Sequence, residues 1–273
     1  MSEVITTHAT AQPAGYRWWP VIALGVVAVV AALVPKTLLQ PLDLIGYAVC
    51  HRIPAHSFFI ANIQLPVCAR DTGTFSGALL GIVSYAVVQH KRVAQFPKRP
   101  YLYLLAAFFL LWGFDGFNSY MQLLRGSVFI YMPANALRLV TGAFMGITLS
   151  TFVVPLFNSA VWLPNLASNE PSVSSWHTML RLVLIALGVI VVVLWQPAFL
   201  YGPIALISTL GILAMLMVVN TLLVILLMKR EEHYERWGQL IFPLLAGACL
   251  MFSEIALIDF VRAWLTAQLH LPY

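Results

Sequence analysis

Apolar runs of about 20 residues recur along this 273-residue chain, and they are the feature that most constrains its fold. A helix of about 20 residues crosses a hydrocarbon core that is about 30 Å thick. Only 9% of the residues are charged, whereas soluble domains carry about 25% charged residues. The chain is therefore predicted to be an all-α protein, a polytopic bundle of helices integral to a membrane.

About seven transmembrane helices are predicted, together with one short helix. The segment Leu38–Cys50 is too short to cross a membrane and begins near Pro41, so we expect an interfacial or re-entrant helix there. Residues 1–16 are polar and are assigned to an N-terminal tail, whereas residues 17–273 form a single transmembrane domain. The predicted spans cover about 18–34, 69–89, 101–123, 133–155, 176–195, 202–228 and 237–265.

Glycines recur at every fourth residue in two of these spans. Gly73, Gly77 and Gly81 form one such stripe, and Gly142 and Gly146 form another. Small residues at this spacing let a neighbouring helix approach closely. The neighbour could lie in the same chain, in a membrane-protein partner or in a second copy of the chain. Membrane lipids are the other expected partners.

The formal charge of +5 does not require a nucleic-acid partner. Basic residues in membrane proteins set the orientation and contact anionic headgroups, and no basic tract here is interleaved with aromatic residues. The charged loops place the N-terminus in the cytoplasm, because most of their basic residues then lie inside. We expect a prokaryotic plasma membrane, with the C-terminus and the polar stretch from Cys50 outside.

The stretch from Cys50 to Gly81 concentrates polar chemistry in an otherwise apolar chain. Cys50, His51, Cys68 and Asp71 offer thiolate, imidazole and carboxylate groups, which are ligands that zinc and other transition metals accept. Two alternatives stay open for the cysteines: a disulfide that staples the hairpin and a thiol-redox couple. The third cysteine, Cys249, is expected to be a small buried hydrophobe.

Arginines at headgroup depth suggest an anion site, because guanidinium groups bind phosphate bidentately. Helical rise places Asp115 about 21 Å beyond Tyr101 and Glu254 about 25 Å beyond Trp237, at the depth of Arg138. The candidate ligand-binding residues are Arg52, Ser57, Gln64, Arg70, Asn135 and Arg138. The candidate acid/base residues are His51, Asp71, Asp115 and Glu254.

A purely structural alternative pairs these charges with one another. Arg138 could bond Asp115 or Glu254 and hold helices together without any ligand. Asp259 and Arg262 are three residues apart on one helix, so this pair is expected to satisfy itself.

Several separated motifs carry a resemblance to a known family. Residues 50–58 read C-H-R-I-P-A-H-S-F and residues 64–73 read Q-L-P-V-C-A-R-D-T-G, followed by Asp-Gly at 115–116 and N-A-L-R-L-V-T-G-A-F-M-G at 135–146. These runs resemble the uncharacterised family of integral membrane proteins catalogued as domain of unknown function 2085. The motif-bearing part is residues 50–146. The resemblance implies a shared membrane architecture and brings no activity with it.

Two positions depart from the family pattern. Relatives usually carry a third cysteine at the position of Asp71, which gives C-A-R-C, and an arginine at the position of His56. An aspartate can replace a cysteine as a harder metal ligand, whereas it cannot form a dithiol with Cys68.

The leading functional hypothesis is an outward-facing polar pocket that binds an anionic lipid or an isoprenoid-phosphate-like ligand, with processing of that ligand as an extension. The first alternative is a metal-binding or thiol-redox membrane protein that uses Cys50, His51, Cys68 and Asp71. A non-catalytic membrane subunit or scaffold is the second alternative. The residues alone do not decide whether the chain is an enzyme.

Overall fold

The structure, a computed structural model, describes residues 41–88 and 92–269. Within these ranges it contains seven α-helices, and six of them are long and apolar enough to cross a membrane. The predicted helical membrane bundle is confirmed. The predicted first span, 18–34, and the tail, 1–16, lie outside the described residues.

The helices begin and end within a few residues of the predicted limits, with two exceptions. Helix α4 continues past Pro155, because a membrane helix tolerates an internal proline when its neighbours satisfy the freed backbone groups. Helix α7 begins at Ile241, after a 3-10 turn at Trp237–Leu240. The helices are α1 Leu42–Val49, α2 Ala69–Val88, α3 Arg99–Arg125, α4 Asn135–Val161, α5 Trp176–Trp195, α6 Tyr201–Leu227 and α7 Ile241–Leu269.

Among the described residues, four short strands lie at the ends of the bundle. Strands β1 (Phe59–Ile60) and β2 (Ile63–Gln64) form an antiparallel hairpin, whereas β3 (Arg92–Gln95) and β4 (Ala167–Pro171) pair in parallel. The hairpin end, which comprises residues 50–68 and 126–134, is called the motif end below. The opposite end, which comprises residues 92–98, 162–175 and 228–236, is called the charged end.

Helix α2 lies in the centre of the bundle and packs closely against α4 and α6. A Cβ atom added at Gly73 would lie 2.5 Å from the carbonyl oxygen of Leu139, and one at Gly77 would lie 2.7 Å from that of Ala143. Gly142 and Gly146 on α4 face the backbone of α2 in the same way. The two predicted glycine stripes are therefore covered by each other within this chain.

We predict opposite signs for two glycine-to-alanine substitutions in membrane helices. Gly77→Ala forces α2 and α4 apart and should lower the unfolding free energy by about 1–3 kcal/mol. Gly113→Ala meets nothing within 4 Å and should raise it by about 0.5–1 kcal/mol, because alanine has the higher helix propensity. Thermal unfolding of the purified protein in detergent measures both changes. Equal shifts would contradict the close α2–α4 contact.

Candidate functional site

The chain between Cys50 and Cys68 folds into a compact loop over the first turn of α2. Ala61 and Asn62 both adopt left-handed backbone angles, which allows the tight turn of the β1–β2 hairpin. The Gln64 amide donates hydrogen bonds to the Arg52 carbonyl (2.8 Å) and to the Ser57 hydroxyl (2.9 Å). Gln64 and Ser57, predicted as ligand-binding residues, therefore brace the loop.

Cys50, Cys68 and Asp71 come together where this loop meets α2. Their ligand atoms, one from each residue, all lie within 4.8 Å of one another. The Cys68 thiol donates a hydrogen bond of 3.2 Å to Asp71 Oδ2. Cys50 is only 5% exposed, and no disulfide links it to Cys68. The structure thus brings together three of the four residues predicted as metal ligands.

Backbone N–H groups also converge on the sulfur of Cys50. The amides of Arg52 and Cys68 point at Sγ, at 3.4 Å and 3.2 Å. The first contact depends on Arg52, whose φ of 49° lies in the left-handed region. The neighbouring Cys68 side chain, followed by these amides, lowers the pKa of Cys50 despite burial, whereas the neighbouring Cys50 and burial raise the pKa of Cys68.

His51 and Arg52 do not belong to this cluster. His51 is exposed and is not among the three residues whose ligand atoms converge. The Arg52 guanidinium forms an ion pair with Asp43 of α1, with 3.0 Å between Nη2 and Oδ1. Cys249, which was expected to be buried, is instead exposed on α7.

Arg70 and Asp115 form an ion pair between α2 and α3. Arg70 Nη2 lies 2.5 Å from Asp115 Oδ2 and 3.2 Å from the Ser119 hydroxyl. Asp115 is 1% exposed, and its second oxygen accepts a hydrogen bond of 2.7 Å from the Tyr131 phenol. Gly116 lies against the guanidinium, since an added Cβ would be in ordinary van der Waals contact with Arg70 Nη1 at 3.5 Å.

Tyr131 and Asn118 are two site residues that the sequence reasoning missed. Asn118 Oδ1 accepts from the amide of Ile130 (3.0 Å), and its Nδ2 donates to the carbonyl of Tyr131 (3.0 Å), which ties the loop 126–134 to α3. Burial and the bond to Asp115 raise the pKa of Tyr131. Asn118 lies three residues after Asp115, so the shared helix face was a usable signal. A tyrosine in a loop gave no such signal.

Arg138 is buried without a carboxylate partner among the described residues. It is 5% exposed, and its Nη1 donates a hydrogen bond of 2.7 Å to Asn135 Oδ1. The Asn135 amide in turn donates to the carbonyls of Ala55 and Ser57, at 3.2 Å each. The alternative that Arg138 pairs with Asp115 is wrong, because Arg70 occupies that position.

His56 lies within electrostatic range of the same two guanidinium groups, those of Arg138 and Arg70. Burial, followed by the charges of Arg138 and Arg70, lowers the pKa of His56. The imidazole is therefore held neutral near neutral pH. This leaves hydrogen-bonding capacity beside Arg138 without adding a third positive charge.

Glu254 lies apart from the motif end. Its carboxylate accepts a hydrogen bond of 2.8 Å from Asn220 between α6 and α7. It is eight residues, about 12 Å, from Arg262, which marks the level of the motif end on α7. Counting the helical rise from Trp237 placed Glu254 too close to the motif end, because α7 ends further along the chain than predicted.

The expected pairing of Arg262 with Asp259 is also wrong. The Arg262 guanidinium instead donates to the carbonyls of Tyr47 and Cys50 and stacks on the Tyr47 ring, 3.8 Å from its centroid. It therefore caps the C-terminal end of α1, and this ties α7 to the chain immediately before the cysteine cluster.

Comparison with known proteins supports the expected resemblance. Residues 50–152 match the model of the family described as "Predicted membrane protein (DUF2085)". An uncharacterised protein of the archaeon Methanocaldococcus jannaschii is 29% identical over 114 residues, which cover 42% of this chain and 67% of that protein. No solved structure matches the chain. The matched segment contains the cysteine cluster, Arg70, Asp115 and Arg138.

We predict that Asp115→Ala lowers the unfolding free energy by about 3–5 kcal/mol, because it leaves the Arg70 charge in a low-dielectric site without its partner. The double variant Arg70→Met/Asp115→Leu should recover most of this loss. Asp43→Ala, which breaks the more exposed ion pair with Arg52, should cost less than about 1 kcal/mol. Unfolding in mixed micelles measures all three. A double variant that is no more stable than Asp115→Ala would contradict a coupled pair.

Proposed function

We propose that this membrane protein binds zinc or a similar divalent transition-metal ion at its motif end, with Cys50, Cys68 and Asp71 as ligands. The observation that carries the proposal is the convergence of the three ligand atoms within 4.8 Å. Two thiolates and a carboxylate form a donor set that zinc accepts, with ligand distances of about 2.0–2.3 Å. The cluster needs only a small contraction to reach them.

Three protein ligands leave a fourth coordination position open. Structural zinc sites are closed by four protein ligands, whereas catalytic or ligand-binding sites keep one position for water or substrate. His51, the next residue to Cys50, is exposed and lies outside the cluster. A bound ion in such a site supplies Lewis acidity to the molecule in its open position.

The charges around the cluster support an ion of this kind. Two thiolates and one carboxylate around a divalent ion leave a net charge of about −1. Arg138 lies within electrostatic range of Cys68 and has no carboxylate partner in the part of the chain that the structure describes. Its guanidinium can therefore compensate that residual charge. The family pattern, with cysteine at position 71, keeps a zinc ligand there.

We predict about one zinc ion per chain in protein purified without chelators, measured by elemental mass spectrometry against protein concentration. Cys68→Ala and Asp71→Ala should each lower the metal content at least about tenfold, because each removes one of three ligands. Asp71→Cys should retain the ion and bind it more tightly. Cys249→Ala is the matched control, because this thiol is exposed and remote.

Intact-mass analysis after alkylation distinguishes the remaining alternatives. Free thiols at Cys50 and Cys68 that become reactive when a chelator is added support the metal site. A Cys50–Cys68 disulfide in the native protein, or a metal content that Cys68→Ala leaves unchanged, contradicts it.

Binding of an anionic lipid or an isoprenoid-phosphate-like ligand is the second candidate function. Arg138 supports it, because a buried guanidinium without a carboxylate is suited to bind a phosphate bidentately. Arg70 Nε is also buried without a hydrogen-bond partner. Catalytic processing of such a ligand has weaker support, because two of the candidate acid/base residues already have partners. Asp115 is held by Arg70 and Tyr131, and Glu254 by Asn220.

We predict that Arg138→Gln weakens binding of an isoprenyl monophosphate, presented in phosphatidylcholine nanodiscs, by about tenfold or more. Loss of a charged hydrogen-bonding partner costs about 1.5–3 kcal/mol, and 1.4 kcal/mol is a factor of ten. Arg125→Gln is the matched control, because Arg125 is exposed and stacks on Phe129. Equal binding by the two variants would contradict the anion site, and zinc content measured in parallel shows whether the metal site persists.

A further inference from the structure

Arg181 is a basic residue inside a membrane helix at the charged end, far from the motif end. It lies on α5, five residues or about 7.5 Å beyond Trp176, which begins the helix and is 61% exposed. Exposed tryptophans at helix ends mark the membrane interface. Arg181 is therefore at the depth where phospholipid headgroups meet the hydrocarbon core.

The guanidinium of Arg181 lacks partners among the residues that the structure describes. Its Nε and Nη2 atoms are buried without a hydrogen bond, and neither described ion pair involves it. The Tyr85 phenol lies within electrostatic range and donates its own hydrogen bond to Thr151 (3.3 Å). Because arginine stays protonated in proteins, its charge requires an anion or water at this depth.

A groove runs from Arg181 along the outer surface of α5. The part of the groove nearest the charged end has a volume of about 400 Å³ and is lined by His177, Leu180, Arg181, Leu184 and Ile185. Beyond the groove, exposed Leu187 and Val191 continue the apolar face of α5.

Gly188 lies within this apolar face of α5. A Cβ added at Gly188 meets nothing within 4 Å, so the glycine forms a depression in the apolar surface. Val191 lies ten residues, or about 15 Å, beyond Arg181, which is half of the hydrocarbon core and the length of one leaflet.

We propose that this groove is a binding site for an anionic phospholipid at the charged end. The headgroup phosphate bonds Arg181, with His177 one turn closer to the interface, and one acyl chain lies along Leu184 and Gly188. The charge, the depth and the apolar length all match such a lipid. The proposal does not depend on the metal or anion site at the motif end.

The headgroup half of the proposal is tested by native mass spectrometry of the full chain with phosphatidylglycerol or phosphatidylcholine. Arg181→Gln should weaken phosphatidylglycerol binding about tenfold and leave phosphatidylcholine binding unchanged. Arg99→Gln is the matched control, because this exposed arginine begins α3 at the same end. Inorganic phosphate is added in a third arm. Competition by phosphate with no preference for phosphatidylglycerol would overturn a lipid site in favour of a soluble anion.

The proposed position of the acyl chain is tested independently by a substitution that fills the groove. Gly188→Leu should weaken binding of both lipids severalfold, because its side chain occupies the path of the chain. Gly113→Leu is the control and should have no effect, because Gly113 is the other described glycine with open space in a long helix. The proposal is overturned if Arg181→Gln equals Arg99→Gln, or if Gly188→Leu equals Gly113→Leu. Should Arg181→Gln fail to fold, the glycine pair still decides.

Discussion

The close contact between α2 and α4 is the constraint on which the rest of the structure depends. Glycines on both helices let the backbones touch, so that added Cβ atoms at Gly73 and Gly77 would meet backbone oxygens at 2.5–2.7 Å. Arg70 and Arg138 lie in the first turns of these two helices at the motif end, and the contact holds two like charges close together. Such an arrangement persists only if each charge is compensated. Asp115 compensates Arg70, whereas the described residues offer no carboxylate to Arg138.

This asymmetry connects the packing to the chemistry of the cysteine cluster. Arg138 lies within electrostatic range of Cys68 and holds Asn135, which in turn holds the carbonyls of the loop that carries Cys50. Arg262 fixes the same loop from α7. The loop is therefore bound to α7 at Cys50 and to α4 at Ala55 and Ser57, which favours a site of defined geometry.

The sequence predicted the bundle and the convergence of Cys50, Cys68 and Asp71 because both follow from short-range patterns. Apolar length sets the spans, and the loop is too short to separate its two ends. The pairing of carboxylates with arginines depends on how each helix is rotated about its axis. The rise per residue gives the depth of a residue but not this rotation. Hence Asp115 pairs with Arg70 rather than Arg138, and Glu254 lies too deep. Arg181 was overlooked because it interrupts an otherwise continuous apolar run, where hydropathy averages hide a single charge.

The backbone at Arg52 bears on whether Cys50 acts as a thiolate. A non-glycine residue in the left-handed region costs about 1–2 kcal/mol, and here that conformation directs an amide at the sulfur. The amide of Cys68 points at the same atom. N–H groups stabilise a negatively charged sulfur far more than a neutral disulfide sulfur, because hydrogen bonds to ions are about twice as strong. The strained turn is therefore better explained by a metal-bound or free thiolate than by a disulfide staple.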